Sequence, residues 1–444
     1  MEDFIREYEQ RTPASRRLYQ EARKVMAGGV SHGIRYFPPY PLYIEKVEGP
    51  RVWDVDGNEY IDLWMGHFAH ILGHRPAMVT RALQDAVDRG IHWGIVHEYE
   101  IHLAKLITEL VPCAEQVRFC TSGTESTMYA VRLARGFTGR SVIVKMEGGW
   151  HGGNTDLCVA IKAPFGRPES QGIPEEMTRF VRAVPFNDVE ALLRLLHGCR
   201  QDLAGVIVEP VMGAGGLIPA QRAFLEALRE ETARMGAILI FDEVITGFRL
   251  APGGAQEHYG IVPDLVTLGK IAGGGGNIGV VAGRADVLAL SDPSVAREKG
   301  TGVLTGGGTF SCSPMSMIPG LAVLRHIKER AAEIYPRLNE MGERLRRGME
   351  EAFRKAGVPG RSIGIGSLCG VYLPLEPSTV VRNAGDMLTR TDVKRVDHEL
   401  RIRMLNQGVY VAHGGGALST AHTQEDVNEI VRATETVASQ MARE

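Results

Sequence analysis

Between about residue 115 and residue 285, short β-rich runs alternate with segments whose apolar residues recur at helical spacing. The candidate strands are QVRFC (116–120), SVIVKM (141–146), AGVIVEP (204–210), AILIFDE (237–243) and DLVTLGK (264–270). Between them, TESTMYAVRLARGF and QRAFLEALREETARMG predict helices, and the second ends at Gly236, a residue typical of helix C-termini. This alternation predicts an α/β fold in which helices cover a parallel sheet, with functional residues at the carboxyl ends of the strands.

The two ends of the chain have a different pattern. Residues 1–65 begin with a polar helix and continue into a hairpin whose turn is DVDGN at 54–58. Residues 315–444 contain a long helical stretch, the strand-like run GSLCGVYLPL and a final helix. We therefore predict a large domain over residues 66–314 and a smaller domain built from residues 1–65 and 315–444.

Composition excludes several classes of protein. The 444 residues include 50 basic and 53 acidic ones without a strongly basic tract, which argues against a nucleic-acid partner. The charged N-terminus and the lack of a long apolar run predict a cytoplasmic protein that does not cross a membrane. Six cysteines without a CxxC pair argue against both a zinc site and a disulfide framework.

Two charged residues stand at the ends of predicted strands. Lys270 follows an apolar run and precedes a glycine run, where poor hydration would lower the pKa of its amine for Schiff-base chemistry. The alternative is a lysine that extends to solvent, which is the commoner arrangement for this feature alone. Asp242 follows AILIF, and a carboxylate there either caps a turn or pairs with a buried cation. The pyridinium of pyridoxal 5′-phosphate (PLP) is a cation that needs such a partner.

The sequence also offers sites for a phosphate and a flat ring. Ser122, Gly123 and Thr124 stand between a strand and a helix, where amides and hydroxyls attract an anion or form an ordinary N-cap. GGGTFS, which contains Thr309, is a second candidate phosphate site. In EGGWHGG, the aromatic ring has the flat face needed for stacking and the histidine could orient Asp242, or serve only the loop structure.

In their order along the chain, these motifs resemble those of the class III aminotransferases, which are PLP enzymes of fold type I. The resemblance covers almost the whole chain and is strongest to the glutamate-1-semialdehyde 2,1-aminomutase branch. It rests on GGVSHGIRYF, DVDGNEYIDL, ILGHRP, VRFCTSGTES, RLARGFTGR, PFND, GVIVEPV, ILIFDEVITGFR, PDLVTLGK and GTFSCSP. It implies a large domain with a mostly parallel seven-stranded sheet and a smaller α/β domain.

The resemblance implies roles at the cofactor ring. Lys270 would hold PLP as an internal aldimine and, once displaced by an amine, move the proton between the substrate α-carbon and C4′ of the cofactor. Asp242 would pair with the pyridinium, while Val244 and Trp150 would lie on the two faces of the ring. Trp150 stands where tyrosine or phenylalanine is usual. The amino group would pass through pyridoxamine phosphate to a keto acid.

Further contacts are implied by the same resemblance. The cofactor-binding set also includes Ser122, Gly123 and Thr124 at the phosphate, and His151 and Glu209. Thr309 would reach the phosphate in the partner subunit, so the resemblance implies a homodimer with shared active sites. In the substrate site, Arg35 would bind a carboxylate, and His32 stands where the aminomutases usually carry serine.

Three departures bear on the reaction. Besides His32, Ala214 replaces an asparagine near the phenolic oxygen of the cofactor, and the loop before the Ala-His-Thr stretch is shorter and lacks a glutamate. These differences favour an intermolecular aminotransferase over the aminomutase, which stays the alternative. The glycines at 414–416 are similar to those of D-phenylglycine aminotransferase and of relatives that act on β-amino acids, which indicates an aromatic or β-amino donor.

Three other readings compete. GGGNIG at 274–279 fits a dinucleotide motif, but strand-like residues follow where a helix should begin. His67, His70 and His74 are close in sequence, yet no acid or cysteine completes a zinc site. A non-catalytic binding protein on the same fold is the third reading, and the presence of both Lys270 and Asp242 argues against it.

Overall fold

The computed structural model describes residues 3–295 and 301–443. Contacts divide the chain into two units. The first takes residues up to Pro76, Arg337–Val380 and those from Arg390 onward, and the second takes Ala77–Pro336 and Val381–Thr389. The domain boundaries expected near residues 65 and 314 stay a prediction.

A seven-stranded sheet forms the centre of the second unit. Its strands, in spatial order, are Gln116–Cys120, Gly279–Gly283, Leu265–Leu268, Ile238–Asp242, Leu203–Val208, Val142–Met146 and Val181–Val184. Only Gly279–Gly283 runs antiparallel, to both of its neighbours. All five strands expected from the sequence belong to this sheet, and the predicted fold class, a mostly parallel α/β sheet, is confirmed.

Burial on both faces explains why these strands are apolar without alternation. Every residue of Leu203–Val208 and of Ile238–Asp242 is buried. Helix Gly123–Thr138 packs apolar residues against the sheet and begins where the Ser122 hydroxyl accepts the backbone N–H of Glu125. Helix Arg222–Met235 ends at Gly236 with a left-handed φ of 61°, as the sequence predicts.

The remaining elements of the second unit surround this sheet. Its other helices are Ala77–Val87, Glu98–Leu110, Glu175–Thr178, Val189–Gly198, Ala255–Tyr259, Ala285–Leu288 and Ala384–Arg390, with short 3-10 turns at Lys270–Gly273 and Ala289–Ser291 and a small hairpin of Val211–Met212 with Ile218–Pro219. The long helix Pro314–Ala356 contributes its residues up to Pro336 to this unit and the rest to the first. Its position confirms the long helical stretch predicted from the sequence.

The first unit contains two small sheets. One consists of Ile44–Glu48, Arg51–Asp54, Glu59–Asp62 and Val409–Tyr410, and the other of Arg361–Ile363, Leu368–Tyr372 and Gly415–Ala417. The hairpin turn predicted at DVDGN is present, and its first aspartate accepts the backbone N–H groups of Asp56 and Asn58. The helices and helical turns are Asp3–Arg11, Pro13–Val25, Ala27–Gly29, Gly33–Arg35, Met65–Phe68, Arg395–Leu400, Arg401–Asn406 and Gln424–Met441.

The structure also bears on the competing readings. The GGGNIG segment leads into strand Gly279–Gly283 and not into a helix, so it lacks the context of a dinucleotide-binding turn. Among the described residues, no group of three or more histidines, cysteines and acids is placed to hold a metal ion. No helix in the described part of the chain is long and apolar enough to cross a membrane.

Candidate active site

Three of the predicted residues lie at one edge of the large sheet. Strand Ile238–Asp242 lies between Leu203–Val208 and Leu265–Leu268 and runs parallel to both, with Asp242 paired to Thr267. Glu209 follows one of these neighbours directly, and Lys270 comes two residues after the other. Parallel strands bring their carboxyl ends to the same edge, so two acids and a lysine meet there.

Asp242 is a buried carboxylate with an ordered set of donors. Its Oδ2 lies 2.7 Å from Nδ1 of His151, and its Oδ1 accepts the Thr267 hydroxyl at 3.0 Å and the Val244 N–H at 3.2 Å. Burial lowers the pKa of His151, and the nearby Asp242 opposes that shift. The ring is therefore neutral at pH 7, and the carboxylate selects the tautomer that carries its proton on Nδ1. Nε2 of His151 is buried without a hydrogen-bond partner.

Lys270 begins a 3-10 turn directly after Gly269. Its backbone has a left-handed φ of 46°, an uncommon conformation for a residue with a side chain and one that recurs at functional sites. Burial lowers the pKa of the Lys270 amine, while the charges of Asp242 and Glu209 act in the opposite direction. A lowered pKa makes the neutral, nucleophilic amine more accessible near pH 7.

The second acid of this edge, Glu209, is buried and accepts two backbone N–H groups. One comes from Trp150 at 2.8 Å and the other from Gly213 at 2.9 Å. Burial, followed by the charge of Asp242, raises the pKa of Glu209 to about 8. Glu243, the acid next to Asp242 in the sequence, instead accepts the N–H groups of Ala255 and Gln256, so its role is structural.

The start of helix Gly123–Thr138 lies against the same edge. A methyl group added to Gly123 would lie 3.1 Å from both methyls of Val244, and one added to Gly269 would lie 3.3 Å from the nearer of them. Gly152, with a φ of 86°, approaches so closely that an added Cβ would lie 2.3 Å from the Thr124 hydroxyl. Val244 therefore lies between the helix start and the lysine segment, and the Trp150 loop packs on that helix start.

The arrangement fits a phosphorylated pyridine aldehyde such as PLP. A buried acid supported by a neutral histidine suits a protonated ring nitrogen, and an amine of lowered pKa suits a Schiff base. The N-terminus of a 16-residue helix, formed by Ser122, Gly123 and Thr124, attracts a phosphate. Trp150 remains 43% exposed and presents a large flat surface at the end of its loop.

Three further predicted residues are exposed to solvent. Arg35 and His32 are exposed and belong to the first unit, where the His32 ring meets the ring of His67 with centroids 5.5 Å apart. Thr309 is exposed in the second unit, and its neighbour Gly308 packs beside Thr121. Their proposed contacts with substrate and with a partner's phosphate stay predictions.

Two residues that matter for this geometry were missed by the sequence reasoning. Thr267 donates to Asp242, and Lys145 is a fully buried lysine whose ammonium contacts the loop that carries Trp150. A signal existed for the lysine, since it interrupts the apolar strand SVIVKM. The threonine gave none, because threonine is common in strands.

Comparisons with known proteins agree with this geometry. Residues 35–422 match the family described as Aminotransferase class-III. A glutamate-1-semialdehyde 2,1-aminomutase of Aquifex aeolicus is 40% identical over 93% of this chain and 96% of its own length. Among solved structures, a β-phenylalanine aminotransferase from Variovorax paradoxus is similar at a TM-score of 0.86 with 35% identity, covering 98% of this chain and 95% of the other. A transaminase with PLP bound has a TM-score of 0.87 and 32% identity, covering 98% of this chain and 99% of the other.

These matches extend over almost the entire chain, and they coincide with a buried acid, a lysine and a helix N-terminus that fit PLP. The cofactor of the enzyme is PLP, and its reaction is that of a transaminase or an aminomutase. The chain belongs to the class-III aminotransferases, within fold type I of the PLP enzymes.

Proposed function

We propose that this enzyme transfers an amino group with Lys270 as the group that moves the substrate proton and Asp242 as the partner of the ring nitrogen. The observation that supports this most directly is the buried carboxylate of Asp242, hydrogen-bonded to a neutral His151 next to a lysine of lowered pKa. An acid in that environment holds a proton on a pyridine nitrogen, which a solvent-exposed acid does poorly.

Each residue has a distinct task in this proposal. PLP, when bound, supplies the carbonyl that condenses with amines and the ring that accepts electron density. Asp242 keeps the ring nitrogen protonated, and His151 fixes the direction of that carboxylate. Nζ of Lys270 would hold the cofactor through its carbonyl carbon and, when free, would move a proton between the substrate α-carbon and C4′. Trp150 and Val244 flank the ring and exclude water from its faces.

The remaining predicted contacts complete the proposed site. Ser122, Gly123 and Thr124 bind the phosphate through a hydroxyl and backbone amides. Arg35 binds a substrate carboxylate through its planar guanidinium, and His32 lies beside the bound substrate. These assignments rest on the family resemblance, since Arg35 and His32 belong to the first unit.

The amino group can go to a second molecule or return to the same one. The relatives named glutamate-1-semialdehyde 2,1-aminomutase support return of the amino group to the same molecule. This support is at least as strong as the support for transfer to a second molecule. Transfer between an amino acid and a keto acid is supported by the solved β-phenylalanine aminotransferase and by the replacement at Ala214. That structure's name also motivates testing aromatic and β-amino donors.

An absorbance titration separates the two reactions. The enzyme loaded with PLP is mixed with L- and D-α-amino acids, β-amino acids and simple amines, without any keto acid. A transaminase shifts the cofactor spectrum to that of pyridoxamine phosphate with at least one donor. An aminomutase instead converts glutamate-1-semialdehyde to 5-aminolevulinate from its pyridoxamine form. If neither change occurs while the lysine-bound cofactor band is present, amino-group transfer itself is the wrong assignment.

A homodimer with shared active sites is part of the proposal. Apolar side chains lie exposed on the second unit, including Ile95 at 74% and Val96 at 88%, and neighbouring Ile91 and Phe310 are also exposed. Such a group of apolar residues is typical of a covered interface. Ile95→Glu together with Val96→Glu is expected to convert a sedimenting dimer to a less active monomer, whereas Val262→Glu, at another exposed apolar position, leaves the dimer intact. A cytoplasmic location stays a prediction.

A further inference from the structure

One peptide group in the loop that carries Trp150 is bound by a buried lysine on one side and a buried glutamate on the other. The carbonyl oxygen of Gly149 accepts a hydrogen bond from Nζ of Lys145 at 2.8 Å. The N–H of Trp150, which belongs to the same peptide group, donates to Oε1 of Glu209 at 2.8 Å. The ammonium of Lys145 therefore lies at the negative end of this peptide dipole, and an acceptor oxygen of Glu209 lies at its positive end.

Lys145 is committed to this loop. Its side chain leaves the buried strand Val142–Met146 and is fully inaccessible to solvent. Besides Gly149, its ammonium donates to the carbonyls of Leu157 at 3.0 Å and Val159 at 2.8 Å. An ammonium has three protons, so these three carbonyls satisfy it completely and join the two ends of the loop. Burial lowers the pKa of Lys145 to about 8, and the largest effect opposing this shift is the interaction with Glu209. An amine with this pKa is mostly protonated at pH 7.

The pair determines which way the peptide group faces. If the Gly149–Trp150 peptide rotated by half a turn, its oxygen would point at the Glu209 carboxylate and its N–H at the ammonium. The N–H would then face the ammonium, which is repulsive in a buried, low-dielectric environment, and it would lose its acceptor on Glu209. The orientation of this peptide sets the backbone direction at Trp150, and the next residue is His151, the partner of Asp242.

We propose that Lys145 and Glu209 act as a pair of positioning residues that fix the Gly149–Trp150 peptide and thereby hold the Trp150 ring against the cofactor. Neither residue needs to touch the reacting atoms in this role. The part that concerns the cofactor rests on the proposed function, because ring stacking by Trp150 belongs to that proposal. The orientation of the peptide can be tested without any cofactor.

Three variants and a control test the proposal. Lys145→Met keeps the length of the side chain but removes all three donors. Glu209→Gln keeps the shape and one of the two acceptor oxygens, and the double variant changes both residues together. Lys162→Met is the matched control, since Lys162 follows the same loop but extends into solvent beside Glu169. If Lys145→Met fails to fold, the double variant replaces it, because neither substituted side chain can leave an unpaired charge buried in the protein.

The first measurement is hydrogen exchange of the loop amides in protein freed of cofactor. The N–H of Trp150 is expected to exchange about tenfold faster or more in Lys145→Met and in the double variant, which is the size of effect expected when one hydrogen bond is lost. Lys162→Met should exchange like the unmodified protein. Unchanged protection in both Lys145 variants overturns the proposal.

The second measurement compares the cofactor's visible circular dichroism and the rate of the donor half-reaction. Both variants that lack Lys145 are expected to bind PLP with an altered dichroic band. Their maximal half-reaction rate should fall about 10- to 100-fold because the ring is misplaced, with the donor concentration at half-maximal rate within about threefold of the unmodified value. A double variant with restored stability but an altered band supports a positioning role. If the double variant restores both the stability and the dichroic band, the positioning role is contradicted, because a purely structural role predicts that result.

The two measurements keep the two proposals apart. If the unmodified protein binds no PLP, the proposed function fails, and the exchange data still decide whether Lys145 and Glu209 fix the peptide. If the unmodified enzyme is active, and the Lys145 and Glu209 variants match it in hydrogen exchange and in circular dichroism, the proposed function stands and this inference is wrong.

Discussion

Within the described residues, two buried histidine–aspartate pairs have similar nitrogen–oxygen distances, one pair in each unit. In the first unit, Nε2 of His74 lies 2.8 Å from Asp62, and in the second, Nδ1 of His151 lies 2.7 Å from Asp242. All four side chains are buried. The hydrogen bond and the burial alone therefore do not distinguish the roles of the two pairs.

Their surroundings differ. The Asp62 carboxylate also accepts hydrogen bonds from the backbone N–H groups of Trp64 at 2.7 Å and Met65 at 3.0 Å, so it stabilises a turn. Asp242 ends a strand beside Lys270 and Glu209, and its histidine keeps a buried nitrogen without a partner. We infer from this difference that the pair with Asp242 is the candidate catalytic site, because a ring nitrogen without a hydrogen-bond partner and a lysine of lowered pKa accompany it.

The largest effect is expected at the lysine that distinguishes the two places. Lys270→Ala should reduce multiple turnover to background, because no other amine takes over both cofactor attachment and proton movement. The variant should fold, since it removes a partly buried charge that burial already disfavours. Steady-state assays with the Lys162→Ala variant as control check this, and sustained turnover by Lys270→Ala would refute the proposed mechanism.

The two aspartates provide the most direct contrast. Asp242→Asn should lower activity by about two orders of magnitude or more, because an amide no longer keeps the ring nitrogen protonated. Asp62→Asn should lower the free energy of unfolding by about 1–3 kcal/mol, since it weakens buried hydrogen bonds, and should affect activity per folded molecule far less. Paired denaturation and kinetic measurements test this, and similar activity losses in the two variants would remove the distinction.

A pH effect is expected from a third buried histidine, His422 of the first unit. Burial lowers the pKa of His422 to about 4 from its ordinary 6.5. The unfolded chain therefore binds a proton below about pH 6.5 while the folded chain does not, so stability falls as pH decreases from 6.5 to 4 and is unaffected above that window. His422→Asn retains an acceptor for the Ser419 N–H and should reduce this loss by about 3 kcal/mol. Urea denaturation at pH 7 and pH 4 measures it, and an unchanged pH dependence would place the cause elsewhere.

The smallest effect is expected at the aromatic ring. Trp150→Phe keeps a flat apolar face and should change the half-reaction rate by only a few-fold, whereas Trp150→Ala should lose about tenfold, in line with the energy of an aromatic contact. Stopped-flow absorbance with saturating donor gives both values. Equal rates for Phe and Ala would mean that the ring does not stack on the cofactor.

Much of this fold could be predicted because it depends on local patterns. Apolar strands, helix ends at glycine and the acid after AILIF are all visible in short windows, and parallel strands necessarily bring Asp242 and Lys270 to one edge. The EGGWHGG motif also makes His151 a candidate partner of Asp242. The partners of Asp62 have no comparable signal in the sequence.

The remaining features depend on long-range packing. Glu209 accepts the N–H of Trp150, a residue 59 positions away in the sequence. Lys145 visibly interrupts an apolar strand, but its role depends on backbone carbonyls, which carry no sequence signature. Positions of this kind require the three-dimensional arrangement of the loop after strand Val142–Met146.

The central claim is that Asp242, and not a histidine–aspartate pair in general, holds a proton on the cofactor's ring nitrogen. The most direct test is ¹⁵N NMR of the enzyme reconstituted with PLP labelled at that nitrogen. We predict the chemical shift of a protonated nitrogen in the unmodified enzyme and in Asp62→Asn, and that of a neutral nitrogen in Asp242→Asn. A nitrogen that is neutral in the unmodified enzyme, or that stays protonated in Asp242→Asn, would contradict the account.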